Sequence, residues 1–342
     1  MTAPVRTWST PLTFRTEQCP AVDYTNNIVY VFPSTSANAV KKTLDNGVTW
    51  TDLTTAPLQA WNSGFVTSTG RVLGFSSSGT YCFSDDYGAT WTTTTTAFPA
   101  SINCCDQTSD GSIYFGCYDS HIYKSVNNGL TWTDTSNNIP VNAQSLTVSC
   151  IRHTSSGIIW ASIGTSTGNS NSNMYYSSDN GASWSTSGYG GYAYTQFALI
   201  GSRYYAPIFD TSYVFNGTTG SYTGADVGLT KQWWGCFPDN DGRYYLSNYA
   251  RQVYSTTNFS LFTLEYTATW SGAQFSGIVD AKDNIWISGD ELTLGSVPAV
   301  TPTKQLYIYS NATWKPVTSA YVGVNGTWKL ATPYGGINSS WK

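Results

Sequence analysis

One short pattern, [ST]-x-[DN]-x-G-x-[ST]-W, occurs four times and constrains the fold more than any other feature of the chain. It reads TLDNGVTW at 43–50, SDDYGATW at 84–91, SVNNGLTW at 125–132 and SSDNGASW at 177–184. The tryptophans stand at 50, 91, 132 and 184, giving steps of 41, 41 and 52 residues. A period near 40 residues, built from short strands and turns, is the signature of a ring of four-stranded blades. The chemistry of the pattern is structural. Asp or Ser can close a turn on its own backbone, Gly supplies the turn conformation, and Trp fills the space between blades. The residues assigned that role are Asp45, Gly47, Trp50, Asp86, Gly88, Trp91, Asn127, Gly129, Trp132, Asp179, Gly181 and Trp184.

A second repeat counts the blades. A turn residue precedes a short apolar strand at Asn27, Gly70, Gly111, Gly157, Ser202, Gly242 and Asp283, with steps of 43, 41, 46, 45, 40 and 41. Each is read as the turn from an innermost strand into the second. The first pattern fades after residue 184: blade five offers NGTTGSY (216–222), blade six STTNFSLF (255–262), and blade seven has none. Trp8 lies 42 residues before Trp50, so the first strand is expected to complete the last blade. Closure of that kind removes open sheet edges. The expectation is an all-β, seven-bladed propeller over 1–300, closed by its N-terminal strand, with a small β-hairpin module at 301–342.

Composition fits many short strands, with 11% charged and 15% aromatic residues among 342. A net charge of −4 leaves no basic footprint for nucleic acid. No apolar run is long enough for membrane insertion, and MTAPVRTW leads directly into the expected closing strand without a secretory leader. The seven cysteines have no zinc spacing. Cys19, Cys104, Cys105, Cys150 and Cys236 stand six to eight residues before their markers, which places them on innermost strands as reduced thiols. With two histidines, His121 and His153, no metal or other cofactor is expected. PDNDG (238–242) reads as a hairpin turn in preference to half a calcium loop.

The eight-residue pattern resembles the Asp-box of the BNR and sialidase-like propellers. That resemblance implies that the boxes lie on outer turns, remote from a ligand face at the mouth of the central tunnel. Counting from the markers puts Arg15, Glu17, Asn62, Asn103 and Glu291 near the mouth. Ten more residues are candidates for ligand contact: Trp61, Tyr118, Asp119, Tyr194, Asp210, Trp233, Trp234, Tyr249, Arg251 and Asp290. Aromatic plates with amides, carboxylates and arginines suit a carbohydrate. A complete catalytic set is missing: FRTEQCP (14–20) only distantly echoes the family's arginine motif, with Thr16 and Glu17 in place of its Ile and Pro. A two-carboxylate glycosidase assembled from Glu17, Asp119, Asp210, Asp290 and Glu291 is the alternative. A loop insertion at 164–175 and the tyrosines of YGGYAY (189–194) adjoin the same rim.

Past SVPAVTPTK (296–304) come YIYSNATWK (307–315), YVGVNGTWK (321–329) and YGGINSSWK (334–342). Each reads as strand, Asn-centred turn, strand, with Asn325-Gly326 the strongest turn signal. About 40 residues are too few for an independent core. The segment is therefore read as an attachment or oligomerisation device. It is similar to the Y-V-x-V-N-G-x-W-K repeats at the ends of tailed-bacteriophage structural proteins. The resemblance implies a virion protein assembled in the bacterial host cytoplasm. Its partners would be other virion proteins through 303–342, further copies of itself, and a host surface glycan. A scaffold or assembly propeller, like the BNR-type factors that help assemble photosynthetic complexes, is the second alternative.

Overall fold

The computed structural model describes residues 6–13, 20–136, 139, 146–154, 156–164, 173–190, 198–200, 203–207, 212–216, 233–248, 250–258, 261–268 and 274–297, with four short stretches between 306 and 330. The regular elements that build the two units are all strands. Two compact units divide the chain at Val297 and Pro298.

The first unit is built of antiparallel meanders. Strands β2 (Ala21–Asp23), β3 (Ile28–Val31), β4 (Lys41–Thr43) and β5 (Thr51–Asp52) form one four-stranded sheet. The next are β6–β9 (Trp61–Val66, Val72–Ser76, Thr80–Ser84, Thr92–Ala97) and β10–β13 (Ile102–Gln107, Ile113–Cys117, Ile122–Ser125, Thr133–Asp134). Then comes β14–β17 (Thr147–His153, Ile159–Gly164, Asn173–Ser177, Ser185–Gly190). A fifth four-stranded sheet is β21–β24 (Trp233–Pro238, Tyr244–Asn248, Gln252–Thr256, Thr263–Thr267). The last joins β25 (Gln274–Val279), β26 (Ile285–Gly289) and β27 (Leu292–Ser296) to β1 (Thr7–Leu12), in the order β1-β27-β26-β25. The N-terminal strand thus completes the final sheet, with Trp8 opposite Gly295.

The blade count corrects the sequence expectation: there are six four-stranded blades among the described residues, not seven. Between β17 and β21 lies a three-stranded sheet, β18 (Ala198–Ile200), β19 (Arg203–Pro207) and β20 (Ser212–Asn216). The sequence signal that weakens here is the outer turn. In the first four blades the Trp-bearing turn leads straight into the fourth strand, at residues 51, 92, 133 and 185. NGTTGSY (216–222) lacks that tryptophan, but so does STTNFSLF ahead of β24, so the outer turn does not tell the three-stranded sheet from a complete blade, and the count of markers overestimated the blades.

The four motif turns share one hydrogen-bond scheme. In the first, Gly47 N donates to Thr43 Oγ1 (2.9 Å), Thr49 N to Asp45 Oδ1 (2.8 Å) and Thr49 Oγ1 to Asp45 Oδ2 (2.6 Å). The second repeats it through Ser84, Asp86 and Thr90. Asn127 and Asp179 take the same place in the third and fourth. The tryptophan then packs on the preceding blade: Trp50 meets Trp286 edge-on at 5.9 Å and Trp91 meets Phe32 at 6.4 Å. These donors push the Asp45 and Asp86 carboxyls down to about 2, chiefly through the Thr49 and Thr90 hydroxyls. Their unfolded value is near 3.9. The stability they contribute is therefore complete above pH 4 and lost as pH falls from about 4 to about 2. Urea midpoints across that window should fall less for the Asp45→Asn/Asp86→Asn variant than for the parent; equal falls would refute this source of acid sensitivity.

The marker turns also have a common chemistry. A Thr or Asp at the end of each inner strand binds the backbone across the turn, as in Arg243 N to Asp239 Oδ1 (2.8 Å) and Ile158 N to Thr154 Oγ1 (2.9 Å). Asn27 and Asp283 hold φ of 52° and 66° where other blades use glycine. PDNDG is such a turn, with Gly242 N bonded to Asp239 O. Blade faces are buried against one another, and close approach depends on missing side chains. A Cβ at Gly64 would stand 2.0 Å from Phe32 of the neighbouring blade, and one at Gly277 would stand 2.1 Å from Phe237.

The second unit contains two hairpins, β28–β29 (Leu306–Ser310, Thr313–Val317) and β30–β31 (Tyr321–Val324, Thr327–Leu330). They coincide with the first two C-terminal repeats. The third repeat and Asn325-Gly326 lie outside the described residues.

Candidate functional site

The inner strands β2, β6, β10, β14, β21 and β25 enclose a cavity of about 620 Å³ along the centre of the ring. That volume falls within the range of roughly 300–1,000 Å³ typical of small-molecule sites. Residues of the marker turns, among them Tyr24, Thr25, Ser68 and Asn240, also border it. The cavity thus extends to the ends of the inner strands, whereas the sequence reading placed the ligand at their starts.

The chemistry is concentrated where β10 meets β14. Asp106 Oδ2 accepts the backbone N–H of His153 at 2.8 Å and pairs with its Nδ1 at 2.7 Å. Both side chains are partly buried, at 18% and 27% exposure. The hydrogen bond to Asp106 raises the His153 pKa, against burial and the neighbouring Arg152. Arg152 borders the cavity and donates Nη1 to Ile151 O at 2.9 Å. Cys104, Cys105, Cys150 and Cys236 line the same wall, consistent with their sequence placement on inner strands. Burial pushes the Cys104 and Cys105 thiols well up, so they stay neutral.

The other two carboxylates of the wall among the described residues are engaged internally. Asp23 Oδ1 accepts from Thr25 N and Asn26 N, each at 3.0 Å. Asp239 is ion-paired with Arg6 at 3.3 Å and caps its own turn.

The inner strands carry a recurring irregularity. Register shifts fall between Trp61 and Ser63, Ile102 and Cys104, Val148 and Cys150, and Trp233 and Gly235. The residues skipped are Asn62, Asn103, Ser149 and Trp234, each eight positions before its marker. A bulge bends the strand and re-aims a side chain. Three of these four were among the residues the marker count placed at the mouth.

The sequence-predicted contacts are dispersed. Trp61 is 1% exposed and meets Phe32 edge-on at 5.5 Å, so it packs in the core. Asn103 borders the cavity and donates Nδ2 to Val148 O at 3.0 Å. Tyr118 is 46% exposed, and Asp119 Oδ2 lies 3.0 Å from His121 Nδ1. Arg251 occupies a turn with φ of 64°, and Asp290 and Glu291 lie between β26 and β27. Trp233 and Trp234 belong to β21, their side chains outside the description. Tyr194, Asp210, Tyr249, Arg15, Glu17 and Cys19 lie outside the described residues, as do Ser202 and most of the 164–175 and 189–194 stretches. Sequence reasoning missed Asp106, Arg152 and Ser63. The available signal was position: each ends or occupies an inner strand five to seven residues before its marker.

The sortilin (neurotensin receptor 3) Vps10 family matches residues 79–198, about a third of the chain. No curated protein matches the chain. Several solved structures share the fold. The extracellular domain of a hybrid two-component system from B. thetaiotaomicron aligns with a TM-score of 0.67 at 11% identity, over 89% of this chain and 41% of that one. YCF48 from Cyanidioschyzon merolae aligns at 0.63 and 11%, over 86% and 99%. The GH74 xyloglucanase from Xanthomonas campestris aligns at 0.62 and 12%, over 84% and 53%. This chain therefore spans about two fifths of the first of these proteins. Together these likenesses support an all-β propeller, a fold that carries unrelated activities.

Proposed function

We propose that this chain is a virion component of a tailed bacteriophage: a tail-associated binding propeller, of the Asp-box kind, that recognises a host surface glycan. Residues 303–342 would hold it to other virion proteins. The observation that carries the binding reading is the central cavity, whose wall presents amide, hydroxyl, guanidinium and imidazole groups. Its carboxylates among the described residues, Asp23, Asp106 and Asp239, are each committed to a turn or an ion pair. Carboxylates spent in this way favour holding a polar ligand over the paired acid and base of a glycosidase. The attachment reading is supported by hairpins at the first two C-terminal repeats, in a unit separate from the ring.

The test applies the intact protein and a 1–302 truncation to immobilised host capsule and lipopolysaccharide. Both forms should bind polysaccharide, and only the intact form should join assembling particles. Lack of retention on any polysaccharide would overturn the glycan reading. Release of new reducing ends would replace it with the glycosidase.

A further inference from the structure

We propose that the cavity of the ring is a carboxylate site that takes a uronic acid residue of a polysaccharide, held between Arg152 and His153 of β14 and the hydroxyls of Ser63 and Ser149. The inference rests on the glycan reading above and names the class of sugar.

Four observations converge on it. First, Arg152 and His153 are consecutive, and both border the cavity. A guanidinium offers a planar fork that matches a carboxylate, and an adjoining imidazole adds a second donor that is charge-assisted when protonated. Second, Asp106 grips His153 by both backbone N and Nδ1, which fixes the ring and leaves Nε2 as its remaining polar edge. Third, Ser63 Oγ and Ser149 Oγ are buried, border the cavity and have no hydrogen-bond partner within the protein. Ser63 is 5% exposed. A buried hydroxyl left unsatisfied costs about 1–3 kcal/mol, so such a pair marks where an outside group completes the site. Both serines lie at strand bulges, Ser149 as the skipped residue and Ser63 just after one.

Fourth, the negative groups around the site among the described residues are answered. Asp106 is spent on His153, Asp23 on the backbone of its turn, and Asp239 on Arg6. Asp110, in the turn after β10, accepts from Thr108 Oγ1 and Ser112 N. Cys104 and Cys105 on β10 are held neutral by burial and do not repel an anion.

The experiment titrates the intact protein with tetragalacturonate, with galactotetraose and with galactose 6-phosphate. The acidic tetrasaccharide should bind on the order of tenfold or more tighter than the neutral one, as expected for a charge-assisted bond. Arg152→Gln should remove that advantage without changing neutral binding, and Arg152→Lys should restore part of it. Ser63→Ala should weaken the acidic ligand several-fold. Because pairing raises the His153 pKa, affinity for the acidic ligand should decline as pH rises through that titration, and His153→Gln should flatten the profile. Equal affinity for acidic and neutral sugars would overturn the carboxylate site and leave the glycan reading standing. So would unchanged acidic binding in folded Arg152→Gln, or tighter binding of galactose 6-phosphate than of tetragalacturonate. If Arg152→Gln does not fold, the wild-type pH profile and Ser63→Ala decide the matter. Loss of all three ligands, together with failure on host polysaccharide, would remove both readings.

Discussion

Replacing Arg6 by Ala is expected to destabilise the ring by about 3–5 kcal/mol, the usual cost of removing one partner from a buried ion pair. Arg6 precedes β1, and its side chain is 1% exposed. Its guanidinium reaches Asp283 Oδ2 at 2.7 Å, Asp239 Oδ2 at 3.3 Å and the Tyr245 hydroxyl at 3.0 Å, and it also binds Asp283 O. One side chain just ahead of the first strand thus ties together the marker turns of the last two blades. Deleting it leaves two carboxylates facing each other without their cation. Urea unfolding followed by tryptophan fluorescence should show the loss. The pH dependence supplies a check on cause. Burial already raises the Asp239 pKa, and losing Arg6 raises it further. A group with a raised carboxyl pKa is penalised above that pKa and relieved below it. The deficit of Arg6→Ala should therefore shrink as pH falls toward the Asp239 titration. A deficit below 1 kcal/mol at neutral pH would mean that Arg6 does not fasten the ring.

Trp286→Ala should cost about 3–5 kcal/mol, the range for emptying a buried Trp site. The ring is 0% exposed and packs with Val22, Val29, Val31, Leu292 and Leu294 across the junction of the first and last blades. Trp50 meets it edge-on from the first motif turn. Its Nε1 donates to Asp280 Oδ2 at 2.9 Å, and Asp280 is fully buried. Trp286→Phe separates the two contributions, since it keeps most of the packing and loses the bond, at about 1–3 kcal/mol. If Phe is as damaging as Ala, the hydrogen bond to Asp280 outweighs the packing. If both are near neutral, the junction does not carry the closure.

Legibility in the sequence followed the range of the interactions involved. The motif turns were readable because their chemistry is local: Asp45 binds Thr49, four residues on. The hairpins after the inner strands were readable for the same reason, since Thr154 and Asp239 cap turns of four or five residues. Closure by the first strand was visible through the spacing of Trp8 and Trp50, although pairing with β27 spans nearly the whole chain. The blade count failed where local evidence ran thin: the marker at Ser202 signals a hairpin, and a hairpin alone does not tell a three-stranded sheet from a complete blade. The candidate site was the least legible part. Counting from the markers found the bulged positions Asn62, Asn103 and Trp234, yet Asp106 and His153 are 47 residues apart and no local pattern joins them.

The sequence by itself determined the all-β character, the turn chemistry of each repeat, the placement of cysteines on inner strands and the separate C-terminal repeats. These depend on residues within about ten positions of one another or on periodicity. Only the tertiary structure decided how many blades are complete, which inner-strand residues converge on the cavity, and that Arg6 reaches Asp239 and Asp283, 233 and 277 residues away. Closing a ring brings distant strands side by side, and the partners of a side chain across that junction are set by geometry that no local pattern encodes.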